Sequence, residues 1–191
     1  MVEPVSALAG HLEPRVVGAD AGSLSLSEAP VGGLWLLAAW PDRLAEVGAA
    51  IARLGGVKAV PGPGRFSAGP KGTAVIRVEP LKWLLLSPVA IAAPTLDPSL
   101  GTVLDLSHAR TCIRIAGDAR ADLMARLVPL DLRPEAFPKG SVASSGVEGV
   151  GVTLLSHDAY FDMLVPRSFG LSVWERVLVS AAPLGARIGK E

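Results

Sequence analysis

The chain holds a single cysteine, Cys112, in 191 residues. No internal disulfide is available, which suits a reducing compartment and leaves the fold to its core. Cys112 lies on an apolar strand pattern and reads as an inert buried thiol. Histidine is nearly as scarce. His11, His108 and His157 are the three present, and none has a second histidine or a cysteine at ligand spacing, so a zinc site is not expected. Charge of either sign is thin at 19%, against an average near 25%, and the 18 basic residues match the 18 acidic ones. A neutral chain has no electrostatic grip on nucleic acid or acidic lipid. Long apolar runs are missing too. Residues 34–40 and 81–93 are the longest, and Lys82, Ser87 and Pro88 interrupt the second, so neither supplies the ~20 residues of a spanning helix. Residues 1–10 carry Glu3 and Pro4 where a secretory signal would carry lysine or arginine, so the expected location is cytoplasmic.

Apolar residues, by contrast, make up 50% of the chain. A soluble chain of this length buries roughly 70% of its unfolded surface. With so little charge to cover the remainder, a protein surface is the favoured sink for the excess.

An internal repeat organises the sequence. Lys82-Trp-Leu-Leu-Leu-Ser-Pro88 aligns with Tyr160-Phe-Asp-Met-Leu-Val-Pro166, residues 73–78 fall opposite 151–156, and residues 42–47 fall opposite 118–123 with a small slip. Each copy reads β-α-β-β. Strands open the copies at 34–39 and 111–115; in the latter, Thr111, Ile113 and Ile115 alternate with Cys112 and Arg114, which predicts one buried and one polar face. Asp42 and Asp118 are placed to cap the helices that follow. Leu44, Val47, Ile51 and Leu54 form one apolar stripe ending at Gly55 and Gly56, and Leu123 and Leu127 repeat it more briefly. Loops rich in glycine or proline, 61–72 and 129–149, lead to hairpins at 75–78 and 150–155. These turn at Glu79-Pro80 and His157-Asp158. A final helix from about Ser168 carries Phe169, Val173, Trp174, Val177 and Leu178. The first copy has only residues 89–100 at that place, broken by Pro94 and Pro98, which predicts a truncated element. The class expected is α+β: two pseudo-repeated βαββ units, with an antiparallel sheet carrying helices on one face. The expected divisions are an N-terminal extension (1–30), a first half (31–102), a second half (103–182) and a tail (183–191).

Few residues suggest chemistry. Asp105, Ser107 and His108 invite a hydrolase triad, but along an extended strand Ser107 and His108 point to opposite sides. Backbone hydrogen bonding at a strand end is the simpler role for Asp105 and Ser107, with Arg110 either paired to Asp105 or lying at a subunit contact. The glycines follow neither the Gly-x-Gly-x-x-Gly register nor a phosphate loop, so no nucleotide cofactor is expected in this chain. Trp35, Trp40, Trp83 and Trp174 are assigned chiefly to the core. Arg167 and Ser168 mark a strand-to-helix junction, where Ser168 would cap and Arg167 would anchor a partner.

The stretch Asp105-Leu-Ser-His-Ala-Arg-Thr-Cys-Ile-Arg-Ile115, followed by Pro129-Leu-Asp-Leu132, Phe137-Pro138 and Arg167-Ser-Phe169, resembles the γ subunit of heterotetrameric sarcosine oxidases. The resemblance spans residues 103–182, with weaker similarity at 83–88. It implies a fold similar to the folate-binding fold of the glycine-cleavage aminomethyltransferase, and a non-catalytic role. It also implies α, β and δ subunits as partners, chiefly α, in a complex that uses FAD, FMN, NAD, tetrahydrofolate and zinc outside this chain. The interface or motif residues so indicated are Asp105, Ser107, His108, Arg110, Asp131, Phe137 and Arg167. Two alternatives stand beside this one. The first is a free-standing folate-binding or aminomethyltransferase-like protein using Asp105 or Asp131 as the poised carboxylate, and the second is a small-metabolite regulatory module.

Overall fold

A computed structural model describes residues 5–18 and 22–189. In chain order the elements are β1 (Arg15–Val17), β2 (Leu24–Ala29), β3 (Gly33–Ala39), α1 (Leu44–Gly55), β4 (Phe66–Ala68), β5 (Ala74–Glu79), β6 (Lys82–Ser87) and β7 (Gly101–Asp105). There follow β8 (Arg110–Ala116), α2 (Arg120–Ala125), β9 (Val142–Val147), β10 (Val150–Ser156), β11 (Tyr160–Pro166), α3 (Gly170–Ala181) and β12 (Ala186–Ile188). Two compact units form, and neither is one continuous stretch. One takes Met1–Ala29, Ala109–Lys139 and Ser144–Glu191; the other takes Pro30–His108 and Gly140–Ala143.

The duplication is visible in the strand orders. The smaller sheet runs β4-β5-β6-β3-β7, and the larger runs β9-β10-β11-β8-β2 before continuing through β12 and β1. Each holds a βαββ copy with the same neighbours, so the α+β class with two pseudo-repeats stands. The fifth position of each sheet is filled in a way the repeat alone does not show. β2 leads directly into β3 yet pairs with β8, while β7 leads directly into β8 yet pairs with β3. β12 and β2 run parallel, whereas β1–β12, β2–β8, β8–β11, β10–β11 and the pairs of the smaller sheet are antiparallel. Residues expected as extension and tail therefore supply three strands of the larger sheet.

In the smaller unit the inward-pointing residues Trp35, Leu37, Val75, Trp83 and Leu85 pack with Val47 and Ile51 of α1. Leu34, Ile76, Leu84 and Leu86, which alternate with them, are buried as well. Strands buried on both faces read as continuous apolar runs, which explains the greasy segments of the sequence. The stretch broken by Pro94 and Pro98 forms no helix. Instead Ile91, Leu96 and Leu100 lie against the core, and the Trp40 indole donates to the Pro98 carbonyl at 2.9 Å. Trp40 is the tryptophan left half-exposed; Trp35, Trp83 and Trp174 are buried.

Several local expectations are corrected. Neither Asp42 nor Asp118 caps a helix: the chain enters α1 through a 3₁₀ turn, Pro41–Arg43, and Arg43 and Ala119 occupy the cap positions without side-chain bonds. Proline at the start of that turn fixes φ and carries Asp42 into it, where it pairs with Arg43 at 3.4 Å. Ser168 likewise lies inside a 3₁₀ turn, Arg167–Phe169. That extra turn rotates Phe169 out of the α3 stripe, leaving it 48% exposed, and Leu54 at the end of α1 is 42% exposed. Cys112 is buried, so β8 has no simple polar face.

Gly56 terminates α1 as expected, with φ 64 and its amide turned back to the last carbonyls. A Cβ there would sit 2.6 Å from Pro70 Cδ as well as forcing the left-handed backbone. Gly56→Ala is therefore expected to cost about 1 kcal/mol or more, read as a melting temperature lowered by roughly 2–4 °C.

Candidate functional site

Pro166 has no amide to offer, so the β8–β11 ladder ends where Pro166 faces Arg110. The chain then turns through Arg167–Phe169 into α3, and the Arg167 amide donates to the Ala109 carbonyl at 3.0 Å. Arg110 and Arg167 are thus brought side by side, although they are distant in sequence. Together with Ser168 they supply the polar wall of an open cleft of about 610 Å³. Its apolar wall is Ala7, Ala109, Pro166 and Leu171. Arg110 donates to the Ala109 carbonyl at 3.2 Å, and Arg167 donates to the carbonyl of Val5. Among the described residues, neither guanidinium meets a carboxylate.

The segment ahead of β1 holds this cleft in shape. Leu8 is fully buried, the Ser6 hydroxyl donates to Glu28 Oε2, and the Leu8 amide donates to Ser6 Oγ at 2.8 Å. Thr111 Oγ1 donates to the other Glu28 oxygen at 2.5 Å. Gly170, at the start of α3, leaves only 3.0 Å to Thr111 and 3.1 Å to Ala7 for any added Cβ. Sequence reasoning missed Ser6, Leu8 and Glu28. The segment has no periodicity, and one buried leucine in a short irregular stretch leaves no pattern.

Asp105, Ser107 and His108 belong to the smaller unit, whereas Arg110, Asp131, Phe137 and Arg167 belong to the larger. Asp105 Oδ1 accepts the Ser107 amide at 2.8 Å, and Ser107 Oγ accepts the amide of buried Leu34 at 3.0 Å. The Ser107 hydroxyl and amide hold the Asp105 carboxyl below its usual range, with His108 adding a lesser charge effect. These bonds tie the end of β7 to the start of β3, the backbone role expected of this pair. Asp131 is exposed and forked by Arg133 at 2.9, 3.1 and 2.5 Å, which draws its carboxyl down to about 2. Phe137 is buried with its ring 6.3 Å from that of Phe161, and its carbonyl accepts Ser156 Oγ at 3.2 Å. Among the described residues, no group of three or more His, Cys, Asp or Glu side chains is placed to hold a metal.

A second polar cluster lies deeper in the larger unit. Arg114 and Asp162 face each other across β8 and β11, joined through Nε at 2.7 Å and Nη2 at 2.9 Å. His157 Nε2 lies 3.3 Å from the same carboxylate. The Tyr160 ring carries the Arg114 guanidinium at 4.0 Å and stacks with His157 at 4.2 Å. Burial pushes the Asp162 carboxyl up, but the hydrogen bonds and charges of Arg114 and His157 outweigh it and hold it below the usual range. A signal existed: an aspartate inside an apolar strand needs a cationic partner, and β8 carries two arginines, of which Arg114 faces it.

No family model matches the chain. A curated relative, sarcosine oxidase subunit gamma of Corynebacterium sp. (strain P-1), is 28% identical over 136 residues, covering 59% of this chain and 67% of the relative. A chain of the solved heterotetrameric sarcosine oxidase from Corynebacterium sp. U-96, in complex with pyrrole 2-carboxylate, superposes with a TM-score of 0.78 at 25% identity. That superposition covers 93% of this chain and 94% of the other. The chain is similar to a sarcosine oxidase γ subunit. Glycine cleavage system aminomethyltransferase T from Bartonella henselae matches with a TM-score of 0.60 at 12% identity, over 92% of this chain and 49% of its own. The likeness to the aminomethyltransferase is one of fold, as the sequence implied.

Two outcomes follow from this geometry. Ser107→Ala would strand the buried Leu34 amide, with an expected loss of about 1–3 kcal/mol in denaturant unfolding. Asp162→Asn would take the facing carboxylate from the Arg114 guanidinium, at about 3–5 kcal/mol. Because folding lowers the Asp162 value, its contribution is complete above the ordinary 3.8 and is lost as pH falls through the lower folded-state value. Acid unfolding of Asp162→Asn should therefore depend less steeply on pH below about 4 than that of the wild type.

Proposed function

We propose that this chain is the non-catalytic γ subunit of a heterotetrameric, flavin-dependent sarcosine oxidase, acting in the oxidative demethylation of sarcosine or a related N-methyl amino acid. The observation that carries the proposal is the superposition on a chain of such a complex over nearly the full length of both proteins. The residue chemistry agrees with it. Ser107, the hydroxyl of the hydrolase-like motif, is occupied in tying two strands together, and Asp131 is held by Arg133 in its own turn.

On this reading the partners are the α, β and δ subunits, chiefly α, in the cytoplasm. FAD, FMN, NAD, tetrahydrofolate and zinc belong to those chains. The flavin supplies the oxidation of the amine there, and the present chain holds or moves no proton in that step. Its contribution is burial. A chain with 50% apolar and 19% charged residues covers apolar surface of the large folate-binding subunit and keeps that subunit in its working shape. No described helix is long and apolar enough to cross a membrane.

Co-expression with the α, β and δ chains, with a tag on this chain alone, tests the proposal. The expected product is a complex of all four chains that consumes oxygen with sarcosine, and the large subunit should lose yield and activity when this chain is omitted. Full activity of the other three without it, or a failure to co-purify, would refute the role.

A further inference from the structure

We propose that the cleft beside Arg110 and Arg167 is the docking site for a carboxylate-bearing, apolar-flanked segment of a partner subunit. The inference rests on the subunit role given above and names the surface that serves it. Charge is the first ground. Two guanidiniums line one cleft, and their hydrogen bonds go to the carbonyls of Ala109 and Val5, so both positive charges remain uncompensated among the described residues. A planar guanidinium fork matches a carboxylate in shape as well as in sign. The amide-rich start of α3 lies at the same wall through Ser168 and Leu171 and adds positive potential of its own.

Apolar surface is the second ground, and it identifies the occupant as polypeptide. The cleft wall is Ala7, Ala109, Pro166 and Leu171, and beside it Val5 is 63% exposed and Phe169 48% exposed. A free carboxylate gains nothing from such surroundings, whereas arginine and aromatic anchors with an apolar surround are the composition of interface hot spots. Preorganisation is the third. The close packing of Gly170 against Thr111 and Ala7, and the grip of Glu28 on Ser6 and Thr111, fix the wall before any partner arrives. Little ordering is then left to oppose association.

The test measures binding of the purified chain to the complex of the other three subunits, for wild type, Arg110→Glu and Phe169→Ala. Among the described residues Arg110 bonds only its neighbouring carbonyl, and Phe169 is half exposed, so both variants should keep the wild-type melting temperature. Each is expected to bind ~10-fold or more weakly. Wild-type binding should weaken as salt rises, and Arg110→Glu should show less of that dependence. Wild-type binding with both variants equally tight would overturn this inference and leave the subunit role standing. Absence of wild-type binding would overturn both. Succinate is the small-molecule control. If it raises the melting temperature of the isolated chain in an Arg110-dependent way and the partner complex does not compete with it, the cleft holds a free carboxylate and the proposal fails.

Discussion

Arg114 and Asp162 meet because β8 and β11 pair in one register, and that register also sets Arg110 opposite Pro166 and Cys112 opposite Leu164. A slip of one residue would turn every side chain of the strand to the other face, moving Arg114 off the carboxylate and Arg110 off the cleft. The buried ion pair is a poor source of net stability, since desolvation offsets its attraction. Its value lies in penalising misregistered pairings, because each of them would bury an unmatched charge. On its other side β8 takes β2, whose Glu28 then reaches the Thr111 hydroxyl. One strand therefore positions the core, the cleft and the tie to the N-terminal segment.

The elements that were legible in sequence are those that carry their own periodicity. The two βαββ copies, the end of α1 at Gly56 and the hairpins between β5 and β6 and between β10 and β11 all follow from local patterns. The prolines at 94 and 98 announced the missing helix. Errors arose where a 3₁₀ turn preceded a helix. Asp42 and Ser168 look like caps, but each sits inside the added turn, and Phe169 is rotated outward with it. The exchange of β2 and β7 between sheets left no local trace, because pairing between strands far apart is decided by tertiary packing and not by propensity.

Residues of the cleft were legible one at a time and not as a set. Arg110 and Arg167 belong to separate motifs, and only the end of the ladder at Pro166 joins them. Asp105 and Ser107 are legible as backbone binders, though the target of the Ser107 hydroxyl, the Leu34 amide on β3, could not be named without the strand exchange. The residues missed altogether, Ser6, Leu8 and Glu28, lie on or against a stretch without repeat or alternation. Their importance comes from burial and from a carboxylate shared by two hydroxyls.

The pairing of β1 with β12, Arg15 with Ile188, has a consequence for biosynthesis. Translation releases β1 and β2 well before β8, and β8 well before β12. Leu24 and Leu26 must wait, uncovered, for strands still inside the ribosome. Such long-range closure is slow and leaves sticky edges open in the interval. Until β8 and β12 emerge, both edges of β2 stay open to pairing with other chains.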